Sequence, residues 1–206
     1  MVKFVKPSVE ILTRIDTEDY LRQIERAART CYKSEFLMDD NSHHKLIKYL
    51  VEKGHWAMIE HAPRISVKFI ADRGMSHEMV RHRLASFAQE STCYVNCYKK
   101  EEIEVIEPAW FEEKGTMGMR AVLIQSYEEC ENSYNFLVEN GVPVEIARSV
   151  LPIGLKTEII VTANLREWHH IFTMRTTEFA HPTIRALMRE LLADLKNQIP
   201  YIFSDL

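Results

Sequence analysis

The sequence is poor in residues that break or cross-link a chain, with six Gly, seven Pro and four Cys among 206 residues. The glycines and prolines fall singly between periodic segments, so nothing resembles a linker and one domain over 1–206 is predicted. The cysteines, at positions 31, 93, 97 and 130, lack the paired spacing of zinc-ribbon ligands. We therefore expect free thiols and a reducing, cytoplasmic setting.

Long apolar runs and an excess of positive charge are also absent. No run is long enough to span a bilayer, and the first residues lack the apolar core of a signal peptide, so no membrane partner is expected. The formal net charge is -4, with no basic face or tail, which argues against a nucleic-acid partner. Any anionic ligand must therefore be held by local clusters of Arg and His.

Helical periodicity dominates what is present. Apolar residues at three- and four-residue steps predict helices, capped or opened at Asp16, Ser42, Ser76, Pro143, Asn164 and Pro182, with one more over 122–140. Alternating or β-branched runs predict strands within 2–15, 65–71 and 157–162, whereas 86–98 is expected to be irregular. Because the strands are scattered rather than arranged in βαβ units, an α+β fold is predicted.

Three adjacent cationic or cationisable residues, Arg81-His82-Arg83, end the helix predicted from Ser76. Successive helical residues point about 100° apart, so these side chains fan outward to different targets. Guanidinium groups bind phosphates bidentately, and an imidazole stacks on or donates to a ring system. The same residues would also suit an ordinary helix C-terminus, where cations complement the macrodipole.

A dense set of small donors and acceptors follows the cations, comprising Ser86, Gln89, Glu90, Ser91 and Thr92. Such a loop beside two guanidinium groups suits a ligand that has both phosphates and a hydrogen-bonding heterocycle. The pattern therefore favours a nucleotide site.

These segments resemble the flavin-dependent thymidylate synthases. RHRLASFAQES fits the family signature of Arg-His-Arg, seven residues and Ser, and GHWAMIEH, EIARSVLP, TANLREW and FTMRT resemble further family segments in the expected order. The resemblance covers most of the chain from Arg29 onward. It implies reductive methylation of dUMP to dTMP, with methylenetetrahydrofolate as carbon donor and FAD, reduced by NADPH, as hydride donor. It also implies a homotetramer of mixed helix-and-sheet subunits whose active sites are shared between subunits.

The resemblance assigns roles to individual residues. The expected catalytic residues are Arg175, which would favour ionisation of uracil at N3, and Ser91, which we interpret as a substrate-binding hydroxyl because the loop offers no paired base. The FAD contacts it implies are His55, Ala57, Arg81, His82, Arg83, Gln89, Asn164, Leu165, Arg166 and His170. The substrate contacts it implies are Glu78, Met79, Val80, Arg81, Gln89, Glu90, Ser91, Thr92, Cys93, Arg148 and Arg175.

No metal site is expected. His43, His44, His77 and His181 lie outside the family pattern, and we interpret them as surface or capping residues because none has a Cys or His partner at zinc-ligand spacing.

Cys93 departs from the family, which usually has an Arg there that contacts dUMP. Losing a charged hydrogen bond costs on the order of 1.5–3 kcal/mol, so three accounts are open: weaker nucleotide binding, methylation of another uridine nucleotide, or a non-catalytic flavin- and nucleotide-binding homologue. Cys93 could instead attack uracil C6, since nearby cations favour a thiolate. A structural free thiol is the simpler interpretation.

Overall fold

The computed structural model describes residues 2–92 and 102–206, and within these ranges helices and strands are intermixed. The strands are β1 Lys3–Val5, β2 Ser8–Ile11, β3 Ile65–Asp72, β4 Ser86–Gln89, β5 Glu104–Ile106 and β6 Lys156–Ala163. The helices are α1 Thr17–Thr30, α2 Ser42–Glu52, α3 Trp56–Ile59, α4 Arg73–Met79, α5 Met117–Glu139, α6 Val144–Ala147, α7 Leu165–Arg175 and α8 Pro182–Gln198. The expected mixture of helix and sheet is confirmed.

A four-stranded sheet has the strand order β2-β3-β6-β4, so β3 and β6 are its interior strands. Alternate residues of β3 are buried, and β6 shows the same alternation, with Ile159, Val161 and Ala163 among its buried positions. This is the pattern of a half-buried strand, which was predicted for β3, and the strand predicted at 157–162 from its β-branched residues is confirmed as β6. A second, two-stranded sheet pairs β1 with β5 in parallel, and Lys3 stands opposite Glu104.

The chain divides into two compact units, each assembled from separate segments. The first unit comprises Met1–Ser8, Phe69–Arg81 and Ala88–Ile159, and the second comprises Val9–Lys68, His82–Phe87 and Ile160–Leu206. A buried cluster in the first unit contains Ile103, Val105, Tyr127 and Leu155.

The core of the second unit includes the fully buried rings of Trp168, Phe172 and Phe203. The indole of Trp168 donates a hydrogen bond to the carbonyl oxygen of Ile65 at 3.1 Å, so the polar edge of this buried ring is satisfied.

Several predicted helix ends are confirmed. Asp16 caps α1 by accepting a hydrogen bond from the amide of Asp19, and Asn164 caps α7 by accepting one from the amide of Glu167. Gly141, at a positive φ of 84°, follows α5, and Pro182 opens α8.

Other predictions of local structure were wrong. Helix α4 begins at Arg73 rather than near Ser76, because the carboxylate of Asp72 accepts from the amide of Met75 at 2.6 Å and so caps the helix earlier. It also ends at Met79, before the Arg-His-Arg segment. Ser86–Gln89, expected to be irregular, forms β4.

Three further expectations need correction. The opening strand is two short strands, with Lys6 and Pro7 between them, because proline has no amide hydrogen to give to a ladder. Ser42 lies inside α2 rather than capping it. His43, expected at the surface or at a cap, is completely buried.

The helices of the described ranges include none that is both long and apolar enough to cross a membrane.

Candidate active site

The Arg81-His82-Arg83 segment lies in a turn after α4, and the amide of Ala85 donates to the carbonyl oxygen of His82 at 3.0 Å. His82 is only 6% exposed, whereas Arg81 and Arg83 are exposed. The three side chains point in different directions, as predicted, but a turn and not a helix separates them, and they do not all fan outward. One imidazole points into the protein while its two cationic neighbours face outward.

The buried imidazole of His82 contacts the last residue of α7. Within the second unit, Nε of Arg175 donates a hydrogen bond to Nε2 of His82 at 3.0 Å. Because Nε2 accepts this bond, the neutral ring carries its proton on Nδ1, which lies 3.8 Å from a carboxylate oxygen of Glu167. The ring of His170 lies edge-on to that of His82, with the ring centroids 5.7 Å apart.

Burial, together with the positive charges of Arg175 and His170, lowers the pKa of His82 to about 4. His82 is therefore neutral near pH 7, so its contact with Glu167 is not an ion pair there. Burial also raises the pKa of Glu167. The guanidinium of Arg175 is thus held by a neutral acceptor, and its positive charge stays uncompensated by this contact.

The segments that contain the other predicted flavin contacts meet in the same unit. Arg166, exposed in the first turn of α7, bonds through its guanidinium to the carboxylate of Glu60. One helical turn along α7, the ring of His169 packs on Trp56 of α3 with centroids 4.1 Å apart. Helix α7 and the GHWAMIEH segment are therefore side by side.

A cavity of about 540 Å³ opens beside this segment, within the second unit. His55 and Ala57, both predicted to contact FAD, line it. The aromatic side chains of Tyr32 and Tyr49 line it as well, and His55 and Tyr49 have ring centroids 6.2 Å apart. Such a cavity can hold a planar heterocycle, because aromatic rings stack on its faces.

The first unit holds a different cavity, of about 550 Å³. Two guanidinium groups and an imidazole line it, those of Arg73, Arg148 and His77, and we call it the cationic cavity. The carboxylate residue Glu145 and apolar residues such as Ile153 complete its lining. A guanidinium nitrogen of Arg148 donates to the hydroxyl of Thr92 at 2.9 Å. Three cationic or cationisable groups around one cavity suit a phosphate or another anion.

Two residues predicted to contact ligands are engaged in contacts with the protein itself. The amide of Gln89 donates to the hydroxyls of Ser76 and Thr157, at 2.9 and 3.1 Å. A carboxylate oxygen of Glu90 lies 3.4 Å from the ammonium of Lys156. In this conformation both side chains hold β4 and the chain after it in place.

The remaining predicted residues differ in exposure. Met79 and Leu165 are completely buried and belong to the core, whereas Val80 is exposed. Glu78 and Ser91 are partly buried. Cys93 lies outside the described residues.

Sequence reasoning missed four polar residues that line the cationic cavity: Arg73, His77, Glu145 and Ser149. Arg73 and His77 are four residues apart on α4, so they share one face of that helix. Recognising Asp72 as the helix cap would have revealed this spacing.

The sequence from residue 14 to residue 201 matches the family model described as thymidylate synthase complementing protein. A flavin-dependent thymidylate synthase of Geobacter sulfurreducens is 36% identical over 198 residues, covering 92% of this chain and 83% of that protein. One from Corynebacterium efficiens is 32% identical over 197 residues, covering 88% of this chain and 78% of the relative.

A third relative, from Sulfolobus acidocaldarius and of the same name, is 34% identical over 168 residues. That match covers 81% of this chain but only 62% of the longer archaeal protein. The family match extends over all the segments that form the two cavities and the His82–Arg175 contact, and this chain belongs to the thymidylate synthase complementing protein family.

Proposed function

We propose that this protein is an FAD-dependent thymidylate synthase that converts dUMP to dTMP, with methylenetetrahydrofolate as carbon donor and NADPH as reductant. Family membership and the names of the relatives support the reaction class. The observation that carries the proposal is the hydrogen bond from Arg175 to the neutral, buried His82.

Arg175 is the proposed catalytic residue. Its guanidinium is positioned by the hydrogen bond that Nε donates to His82. A guanidinium placed against uracil stabilises negative charge on the ring, so N3 loses its proton more readily and C5 becomes more nucleophilic. His82 acts as a positioning residue for this step.

The second unit is the proposed location of FAD, which would supply the hydride for the reduction when bound. The residues present fit such a group, because the cavity lined by His55 and Ala57 also has Tyr32 and Tyr49 on its walls. Arg166 is exposed at the start of α7, and pairing with a phosphate of the cofactor would require its guanidinium to leave the carboxylate of Glu60. The other implied flavin contacts, including Arg81, Arg83, Asn164 and His170, stay predictions.

The cationic cavity of the first unit is the proposed place for the phosphate of the nucleotide. Arg148 and Thr92, both implied substrate contacts, meet there, and Arg73 adds a second guanidinium. A phosphate would accept charge-assisted hydrogen bonds from both guanidinium groups. Ser91, next to Thr92, is proposed to bind substrate through its hydroxyl.

Two alternatives follow from Cys93, which stands where the family usually has an Arg. In the first alternative, the protein methylates another uridine nucleotide. In the second, it binds flavin and nucleotide without turnover. Tritium release from 5-tritiated dUMP and from 5-tritiated UMP, each with methylenetetrahydrofolate and NADPH, separates the three. We expect release from dUMP; release from UMP alone supports the first alternative, and no release despite bound FAD supports the second.

We further propose that the protein works as a cytoplasmic homotetramer with active sites shared between subunits. Light scattering coupled to size-exclusion chromatography tests the assembly, and a monomer with full activity would refute shared sites.

A further inference from the structure

A cluster of possible metal ligands, Glu18, His43 and His44, lies apart from both cavities. Glu18 is the second residue of α1, and the two histidines are the second and third residues of α2. One ligand atom from each residue can be chosen so that all three lie within 4.8 Å of one another. None of the three side chains lines either cavity.

The distances suit a single ion. Nε2 of His43 lies 2.8 Å from one carboxylate oxygen of Glu18, and Nε2 of His44 lies 3.6 Å from the other. Ligand atoms that each lie roughly 2.1 Å from one Zn²⁺ are separated by about 3.0–3.6 Å, so the His44–Glu18 distance fits this range and the His43–Glu18 distance is slightly shorter. The two imidazole rings are close enough to share an ion, with centroids 4.1 Å apart.

The buried ring nitrogens of the two histidines are short of hydrogen-bond partners. His43 is completely buried, yet neither of its ring nitrogens makes a hydrogen bond. The short distance to Glu18 lacks the geometry of a hydrogen bond, and Nδ1 of His44 is likewise buried without a partner. A buried imidazole with no hydrogen bond costs free energy, and coordination of a cation by Nε2 would remove part of that cost.

A second carboxylate near the cluster, that of Glu25, already has hydrogen-bond partners at both oxygens. Glu25, also on α1, accepts hydrogen bonds at one oxygen from the guanidinium of Arg29 and at the other from the hydroxyl of Ser42. The set available to an ion is therefore two imidazoles and one carboxylate. Glu18 is largely exposed, so water can occupy a further coordination position.

We propose that Glu18, His43 and His44 form a Zn²⁺ site that joins the N-terminal turns of α1 and α2. Two imidazoles, one carboxylate and a water molecule are a donor set that Zn²⁺ accepts in tetrahedral geometry. Because the ion would be bound by the folded chain and would link two helices, its role is to stabilise the second unit. This role is independent of the proposed methylation of dUMP.

Calorimetric titration with ZnCl₂ tests the proposal on the full-length, FAD-containing protein after treatment with EDTA. The wild type should bind one ion per chain at this site. Glu18→Gln and His44→Ala should each weaken binding at least tenfold, and Zn²⁺ should no longer raise the Tm of these variants. Both substitutions change partly exposed side chains, so the fold should persist, which retained FAD verifies.

Glu35→Gln and His181→Ala are the matched controls, since both residues are exposed and outside the cluster. They should bind Zn²⁺ as the wild type does. Less than a tenfold loss in either cluster variant, or equal losses in the controls, would overturn the proposal. X-ray absorption of the loaded protein should show only nitrogen and oxygen ligands, and sulfur at about 2.3 Å would instead indicate a cysteine site.

Discussion

Nε of Arg175 donates a hydrogen bond to Nε2 of His82 at 3.0 Å, so two residues 93 positions apart in the sequence are in direct contact. His82 accepts because burial and the adjacent positive charges keep it neutral, with a pKa of about 4. The orientation of the proposed catalytic guanidinium therefore depends on a residue of the Arg-His-Arg signature.

Replacement of Arg175 should abolish methylation but keep the flavin. In Arg175→Ala the charge that stabilises the uracil anion is lost, and removal of one such group costs roughly 10²–10³-fold in kcat. The measurement is dTMP formation at saturating dUMP together with the flavin absorbance of the purified protein.

Arg22→Ala is the control for that substitution, because Arg22 is a partly exposed arginine of the same unit with a contact to the carbonyl oxygen of Asp40. It should have the kcat of the wild type. A near-normal kcat in Arg175→Ala would refute the assigned role.

The neutral state of His82 should make the folded protein less stable in acid. Its folded pKa, about 4, is below the ordinary value of 6.5. Between these values the unfolded chain takes up a proton that the folded chain does not, so stability falls as the pH falls through this window. From pH 7 to pH 4.5 the loss due to this residue should be about 2 kcal/mol.

His82→Gln provides the comparison, because its amide oxygen can replace Nε2 as an acceptor but does not titrate. Urea unfolding at pH 7 and pH 4.5 should show the variant losing about 2 kcal/mol less than the wild type over this interval. Equal losses would show that His82 is not held neutral.

Arg148 should contribute to nucleotide binding rather than to chemistry. Arg148→Ala removes a guanidinium from the cationic cavity, which should cost about 1.5–3 kcal/mol and raise the KM for dUMP roughly 10- to 150-fold, with a smaller change in kcat. Lys114→Ala, an exposed cation of the same unit, should leave KM unchanged. A large fall in kcat without a change in KM would contradict the assignment.

Gly154 should tolerate no side chain. A Cβ at this position would lie 2.2 Å from the hydroxyl oxygen of Tyr127, a buried ring in the core of the first unit. We expect Gly154→Ala to lower the free energy of unfolding by about 3 kcal/mol, at the upper end of the usual cost of overpacking. Gly118→Ala, where a Cβ would meet nothing within 4 Å, should be neutral or stabilising in its helix.

A double-mutant cycle tests whether the ring of Tyr127 causes the destabilisation expected for Gly154→Ala. In a Tyr127→Ala background the ring is absent, so Gly154→Ala should cost much less than in the wild type. An unchanged cost would assign the effect to the backbone of Gly154 rather than to Tyr127.

Local patterns predicted most helices and strands because the relevant signals are short-range. The alternation in β3, the cap at Asn164 and the proline at the start of α8 each depend on residues a few positions apart. The start of α4 was missed because Asp72 and Ser76 are both good caps, and the residue types alone do not choose between them.

The candidate site was predicted in its residues but not in its contacts. The resemblance pointed to both His82 and Arg175, yet their hydrogen bond joins segments far apart in sequence, which no local pattern reports. The burial of His43 was missed for the same reason, since Glu18, its nearest charged neighbour, is on another helix.

The most direct test is the formation of dTMP, measured by mass spectrometry, after dUMP, methylenetetrahydrofolate and NADPH are added to the FAD-containing protein. The account predicts dTMP in repeated turnovers, abolished by omission of either co-substrate and by Arg175→Ala. Bound FAD that NADPH reduces, with no dTMP formed from dUMP, would contradict it.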